Sequence, residues 1–162
     1  MRPEYRLLPF ESKHVEFLLK EVDTRDLLAQ CAGTTFSFPL TKGEIISYLE
    51  KDTIYPFVLT EQDSILGYGD LLIEPDREIR LCRLLIGKAH RHKGLGKILV
   101  QRMVEKAKTL EATLPIRLFV LENNPSALAC YLKCHFQTIP FSGVLPGSDP
   151  PIALIKMEYH ED

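Results

Sequence analysis

Nothing in the 162 residues approaches the roughly 20 consecutive apolar positions that a helix needs to cross a bilayer. The opening MRPEYRLLPF also lacks the apolar stretch of about 7 to 15 residues that a secretory signal requires, so a soluble, cytoplasmic protein is expected. The four cysteines, Cys31, Cys82, Cys130 and Cys134, show no CxxC spacing and no matching set of histidines. Neither a zinc site nor a disulfide framework is indicated, and the four read as buried thiols. Cys130, Cys134 and His135 fall on one helical face, but a metal wants about four ligands in defined geometry, so no metal is expected. No repeat, low-complexity tract or Ser/Gly-rich linker divides the chain, and one domain over residues 1–162 is the simplest organisation.

What is present is a globular composition, 45% hydrophobic and 26% charged, with an uneven spread of charge. Between Ile79 and Val104 there is no Asp or Glu, whereas Arg80, Arg83, Lys88, Arg91, Lys93, Lys97 and Arg102 all lie there. Removing those seven positive charges from the formal net of −2 leaves −9 for the remainder. One anion-attracting segment is thus set in an otherwise acidic chain. A nucleic-acid-binding protein would be basic throughout, so neither nucleic acid nor membrane is expected as a partner.

Periodicity gives the elements in outline. EYRLLPF reads as a first strand, and KHVEFLLKEV as a helix with Ser12 as its cap. CAGTTFSFP reads as loop, and LTKGEIISYLEK as a second helix with Thr41 as cap and Glu44 three residues on. TIYPFVLT, ILGYGDLLIE and EIRLCRLLI are strand-like runs joined by EQDS and PDR, a three-strand antiparallel meander. A helix follows whose stripe of Leu99, Val100, Met103, Val104, Ala107 and Leu110 keeps 3.6-residue spacing. IRLFVL, returning after that crossover, is placed to pair in parallel. NNPSALACYLKCHF reads as a helix with Asn124 as cap and Pro125 in its first position, and the end as two strands around a Pro/Gly-rich loop. The class is α+β, or mixed α/β: helices on a largely antiparallel sheet.

The segment RHKGLGK lies at the joint between EIRLCRLLI and the crossover helix. A helix start leaves backbone N–H groups unpaired and carries about half a positive charge. Glycines at 94 and 96 clear the approach to those groups, while Arg91, Lys93 and Lys97 add full charges, which suits a pyrophosphate. Spacing then discriminates. A Walker loop needs glycine where Arg91 stands and Ser or Thr where Ile98 stands, and a dinucleotide fingerprint needs glycine where Leu99 stands.

The remaining pattern, [RQ]xxGx[GA] over Arg91, His92, Lys93, Gly94, Leu95 and Gly96, resembles that of the GCN5-related N-acetyltransferases (GNATs). NPSALACYLKCHF is similar to the family's NxxAxxxYxxxGF segment in Asn124, Ala127, Tyr131 and Phe136. The motif-level likeness covers residues 79–136, and the order of elements matches from the first strand to the last. The resemblance implies a mixed sheet of about six or seven strands with about four flanking helices and a splayed central strand pair. It implies acetyl-coenzyme A as cofactor, its pyrophosphate on Arg91 to Lys97 and its pantetheine arm on the backbone of Leu84, Leu85 and Ile86, added like a strand. An amide N–H of that edge would stabilise the oxyanion. Asn124 and Tyr131 would complete the cofactor contacts, and Tyr131 would be the catalytic residue, protonating the departing thiolate.

By the same resemblance the acceptor is a primary amine, a small molecule or a peptide: a protein N-terminus, a lysine, a polyamine, an amino acid or an aminoglycoside. A homodimer is compatible with it. The acidic remainder favours a cationic acceptor. Phe36 and Phe38 either line the acceptor side or anchor their loop on the core, and SGVLPGSDPP is a segment that would close over it. The base is left open among Glu78, Glu74, Asp70 and a water relay, because Arg80 stands where some relatives carry a glutamate. His90 and His92 belong with the anion site. His135 replaces a frequent glycine and Lys88 a frequent proline, both in turns. The alternative reading is a non-catalytic acyl-coenzyme A binding or sensing module, supported by Arg80 and opposed by the presence of Asn124 and Tyr131.

Overall fold

The computed structural model describes residues 4–161. Runs rich in β-branched and aromatic residues form seven strands: β1 (Tyr5–Pro9), β2 (Ile54–Glu61), β3 (Ser64–Glu74), β4 (Glu78–Ile86), β5 (Ile116–Leu121), β6 (Phe136–Ile139) and β7 (Leu154–Tyr159). They make one sheet in the order β1-β2-β3-β4-β5-β7-β6. All neighbours are antiparallel except β4 and β5, which run parallel because helix α4 (Leu95–Leu110) carries the chain back between them. This is the mixed, mostly antiparallel sheet that the pattern predicts.

The caps decide where helices start. Thr41 Oγ1 accepts the Glu44 N–H at 3.2 Å and opens α3 (Lys42–Leu49). Asn124 Oδ1 accepts the Ala127 N–H at 3.3 Å and opens α5 (Pro125–Lys133). Both were expected. Ser12 is not a cap: a short 3₁₀ turn, Ser12–His14, precedes α1 (Val15–Glu21), and the Glu11 N–H donates to His14 Nδ1 at 2.9 Å. Among the described residues there are five α-helices, where about four were expected. The addition is α2 (Arg25–Ala32), whose cap Thr24 accepts the Leu27 N–H at 3.1 Å and which absorbs the first two residues of CAGTTFSFP.

Side chains alternate between two cores. Leu59, Leu71, Leu81 and Leu118 face α4 through Leu99 and Met103. Val58, Tyr68 and Leu85 face Val15, Leu18, Leu28 and Ile45 on the other side. The α4 stripe is buried as predicted, except that Leu95 joins it and Leu110 is exposed. Phe36 and Phe38 pack on the second core, Phe36 edge-on to Tyr48 at 5.2 Å, so they anchor their loop. Of the cysteines only Cys134 is buried; Cys31, Cys82 and Cys130 are half-buried.

Two irregularities shape the middle of the sheet. The β4–β5 ladder ends after Ile79↔Ile116, Arg80↔Arg117 and Leu81↔Leu118, so the strands splay beyond Leu81. In the β3–β4 ladder, Tyr68 pairs with Leu85 but Asp70 with Cys82, so Gly69 faces both Arg83 and Leu84. Arg83 is accordingly left-handed, at φ +52°. Such a backbone costs about 1–3 kcal/mol and persists only where its surroundings fix it.

Asp70 fixes it. Fully buried, Asp70 accepts from Arg83 Nε and Nη2 at 2.8 Å each, from the Tyr68 hydroxyl at 2.8 Å and from the Tyr48 hydroxyl at 3.1 Å. Arg83 Nη1 donates to Thr35 Oγ1 at 3.1 Å, and the guanidinium lies 4.6 Å from the Tyr48 ring centroid. Burial and the adjacent carboxylate push both phenols above their ordinary value, so they stay protonated as donors. Replacing Asp70 by Ala leaves Arg83, with 12% of its side chain exposed, without its anion. The expected loss is about 3–5 kcal/mol in urea unfolding, and a loss below about 1 kcal/mol would show that the pair does not hold the bulge.

Candidate active site

Because β4 and β5 separate, the far half of β4 borders an open cleft instead of a neighbouring strand. The cleft, about 300 Å³, is walled by Leu84, Leu85 and Ile86 of β4, by Gly96 and Leu99 of α4, and by Asn124, Cys130 and Tyr131 at α5. Leu85 turns its side chain into the core, so its backbone is what it offers to a ligand. At one end the cleft runs into a cradle of about 480 Å³ lined by His90, Arg91, His92, Gly94, Leu95, Gly96 and Lys97, with Ser126, Cys130 and Lys133 opposite.

The cradle is built for an anion by several independent features. Gly94, the N-cap of α4, sits at φ +78°, a conformation glycine adopts without steric cost. A Cβ on Gly96 would meet only Cys130 Sγ, at an ordinary 3.7 Å. Glycine inside a helix costs about 1 kcal/mol against alanine, and the chain itself has no steric need for it there; its absent side chain keeps clear the floor shared by cleft and cradle. Arg91 Nε donates to the Ile86 carbonyl at 3.0 Å, while its Nη2 is buried with no hydrogen-bond partner. A buried cationic donor left unpaired is costly, so a bound phosphate oxygen is what would relieve it.

The sequence overstates the cradle's cations in one respect and understates them in another. Of the seven in the acid-free segment only Arg91 and Lys97 line it; Lys93 is exposed outside it, and Lys88 binds Asp23 at 2.6 Å. Lys133, reached only because α5 packs beside α4, was not foreseen. Its effect is visible at Cys130, whose thiol is lowered first by a hydrogen bond with Cys134 and further by Lys133 and Lys97. His92 (φ +62°) and His135 (φ +70°) both take left-handed backbone. That accounts for the glycine the family pattern places at His135, histidine being one of the residues that tolerate this region.

Tyr131 stands at a junction. It lines the cleft and also a second pocket of about 180 Å³ between α2, β4 and β5, and the two share Gln30, Cys31, Leu84 and Tyr131. Leu145, from the Pro/Gly-rich segment before β7, closes part of this second pocket. Among the described residues the Tyr131 hydroxyl has no hydrogen-bond partner. Its side chain is partly exposed to the cleft, yet burial pushes the phenol well above its ordinary value, so it holds its proton at neutral pH. Burial likewise pushes Cys31 up to about 12, which makes it a poor nucleophile.

The carboxylates considered as bases are all engaged. Asp70 is closed inside the bulge network. Glu74 accepts from Arg80 at 3.0 Å and Arg77 at 2.9 Å. Glu78, 2% exposed, accepts from Arg80, Arg117 and Lys156 at 3.1 Å each. Burial alone would raise the Glu78 carboxyl, but these three bonds outweigh it and hold it below its ordinary 4.5. Among the described residues no Asp or Glu lines the cleft, the cradle or the second pocket.

A strand edge opened by splaying, ending on a cationic glycine turn at a helix start, defines a coenzyme A-dependent acyltransferase site. The chain belongs to the acetyltransferase (GNAT) family, whose model matches residues 22–136, more than half its length. Acetyl-coenzyme A is thus its cofactor, and acetyl transfer to an amine its class of reaction. Among solved structures, a spermidine N-acetyltransferase from Vibrio cholerae in complex with CoA and spermine superposes with TM-score 0.78 at 18% identity, covering 95% of each chain. The ribosomal-protein-S18-alanine N-acetyltransferase from Escherichia coli does so with TM-score 0.71 at 14% identity, over 96% of this chain and 93% of that one. At such identities the likeness is one of fold. No helix among the described residues is long and apolar enough to cross a membrane.

Two outcomes follow. Arg91→Ala should weaken coenzyme A binding at least tenfold in calorimetry, the equivalent of one charge-assisted hydrogen bond; unchanged affinity would remove Arg91 from the cradle. Glu78, depressed in the folded state, stabilises above about pH 4.5 and loses that contribution as pH falls through its folded value. The stability gap between wild type and Glu78→Gln should therefore be widest above about pH 5 and shrink towards pH 3 in urea titrations. A gap independent of pH would contradict the assignment.

Proposed function

We propose that this chain moves the acetyl group of acetyl-coenzyme A to a small primary amine that enters through the 180 Å³ pocket, with Tyr131 as proton donor. The observation that carries the proposal is Tyr131 itself: a protonated phenol, unpartnered, on the wall common to the cofactor cleft and the second pocket. When bound, acetyl-coenzyme A supplies the thioester: the amine nitrogen bonds the acetyl carbon as the C–S bond breaks, one proton leaving the amine and one reaching the sulfur.

The chain's own residues have separate tasks in this reading. Arg91 Nη2, Lys97, Lys133 and the first amides of α4 hold the pyrophosphate. The backbone of Leu84, Leu85 and Ile86 aligns the arm and offers an amide to the oxyanion, while Asn124 walls the cleft from the start of α5. Tyr131 keeps a proton at its hydroxyl and recovers it from solvent. With Asp70, Glu74 and Glu78 all engaged, the amine gives up its proton to water.

Two acceptor classes occur on this fold among the solved structures, a polyamine in the Vibrio cholerae enzyme and a protein alanine in the Escherichia coli one, so fold does not choose between them. Release of free thiol from acetyl-coenzyme A over a panel of amines tests the transfer. A sensing module would bind the cofactor and release none. Tyr131→Phe should lower kcat by about 10²–10⁴ while leaving cofactor affinity within about twofold. Unaltered turnover would dismiss Tyr131 as the acid.

A further inference from the structure

We infer that the acceptor is an amine with its own carboxylate on an apolar body, and that a polyamine is a poor acceptor; this rests on the acetyl-transfer reading above. The walls of the second pocket carry the inference. Its charged lining residues are Arg80 and Arg83, and it has no acidic one. An ammonium group brought there would meet like charge and give up water without gaining a carboxylate. The carboxylates around Arg80 and Arg83 are spent: Asp70 on Arg83, Glu74 on Arg77 and Arg80, Glu78 on Arg80, Arg117 and Lys156.

One of the two aromatic rings that could bind a cation there is occupied as well. Phe119, which lines the pocket, has the Arg80 guanidinium 5.1 Å and the Lys156 ammonium 5.3 Å from its ring centroid. Arg80 by contrast has capacity left. Its Nε and Nη2 serve Glu78 and Glu74, and no described residue accepts from Nη1. Of its side chain 26% remains exposed. A guanidinium braced by two carboxylates with one nitrogen free suits a ligand carboxylate. Apart from Gln30 and the Tyr131 hydroxyl the rest of the lining is mostly apolar, with Leu81, Leu121, Leu145 and Leu154, and 180 Å³ admits only a small body.

The same charges help the chemistry. Cations beside the acceptor disfavour its ammonium form and favour the neutral nucleophile, in a pocket with no carboxylate free to act as base. A single carboxylate on the acceptor would anchor it at Arg80, whose positive charge offsets the pull of that carboxylate on the ammonium form.

The test compares leucine, methionine and phenylalanine with their amides, and with spermidine, in the thiol-release assay. Calorimetry with coenzyme A is run first, because absence of cofactor binding defeats the transfer reading and with it this inference. The carboxylates should exceed the amides at least tenfold in kcat/KM, a charge-assisted hydrogen bond's worth. Arg80→Gln should erase that preference through KM, and Arg80→Lys, which keeps the charge, should retain part of it. If Arg80→Gln does not fold, the wild-type comparison and Arg80→Lys decide. Amides or spermidine turned over as well as the carboxylates would overturn the inference. Should none of the probes be turned over, their effect on the melting temperature of the coenzyme A-loaded protein decides instead: a rise with the carboxylates alone supports the inference, and no rise, or an equal rise with the amides, overturns it.

Discussion

A β-sheet satisfies its backbone by pairing, and this one stops pairing in the middle. After Leu81 and Leu118 the parallel strands β4 and β5 have no further register partners, so backbone that would close a ladder instead faces a cleft. Such an opening is unfavourable unless it is enforced, because unpaired backbone is costly wherever water is excluded. Enforcement comes from the other side of β4. The bulge opposite Gly69 bends the strand, and the buried contact of Asp70 with Arg83, Tyr48 and Tyr68 holds the bulge at a residue with left-handed backbone. The second pocket borders that network directly through Arg83.

The distribution of charge follows from the same arrangement. Cations that are contiguous in sequence alternate in space, because a strand sends successive side chains to opposite faces. Arg80, and Arg83 in the bulge, lie away from the cradle and engage Glu74, Glu78 and Asp70, while Arg91 and Lys97 remain at the helix start. The basic segment thus serves two purposes. One half lines the cradle, and the other is spent on carboxylates, Arg80 on Glu74 and Glu78 and Arg83 on Asp70. A chain that is acidic overall ends with no described acid lining the cleft, the cradle or the second pocket.

Much of this was legible residue by residue. The caps at Thr41 and Asn124, the α4 stripe, the meander and the parallel return of β5 rest on local periodicity and hydrogen-bonding habit, which act over a few residues. Helix α2 was not legible, since eight residues are too few to hold a helix by their own propensity and this one is stabilised by packing on β4. Ser12 looked like a cap and is not one, because the Glu11 amide and His14 form the alternative pair. Lys133 and Cys130 were missed as cradle residues, and Gln30 as a pocket residue, for one reason: each reaches its pocket only through contacts between distant elements, whereas Leu145 belongs to the SGVLPGSDPP segment expected to close over the acceptor side.

The sequence by itself determined the glycine turn, its cations, the segment around Asn124 and Tyr131, and hence the family, because those features depend on spacing within single elements. Only the tertiary structure decided which charges are spent and which are free. Asp70, Glu74 and Glu78 are equivalent candidates on paper, but long-range pairing closes all three and leaves Arg80 with an open nitrogen. Coulombic and hydrogen-bonding partners are chosen by proximity in space, over separations as large as the one between Glu78 and Lys156, and no local pattern encodes that choice.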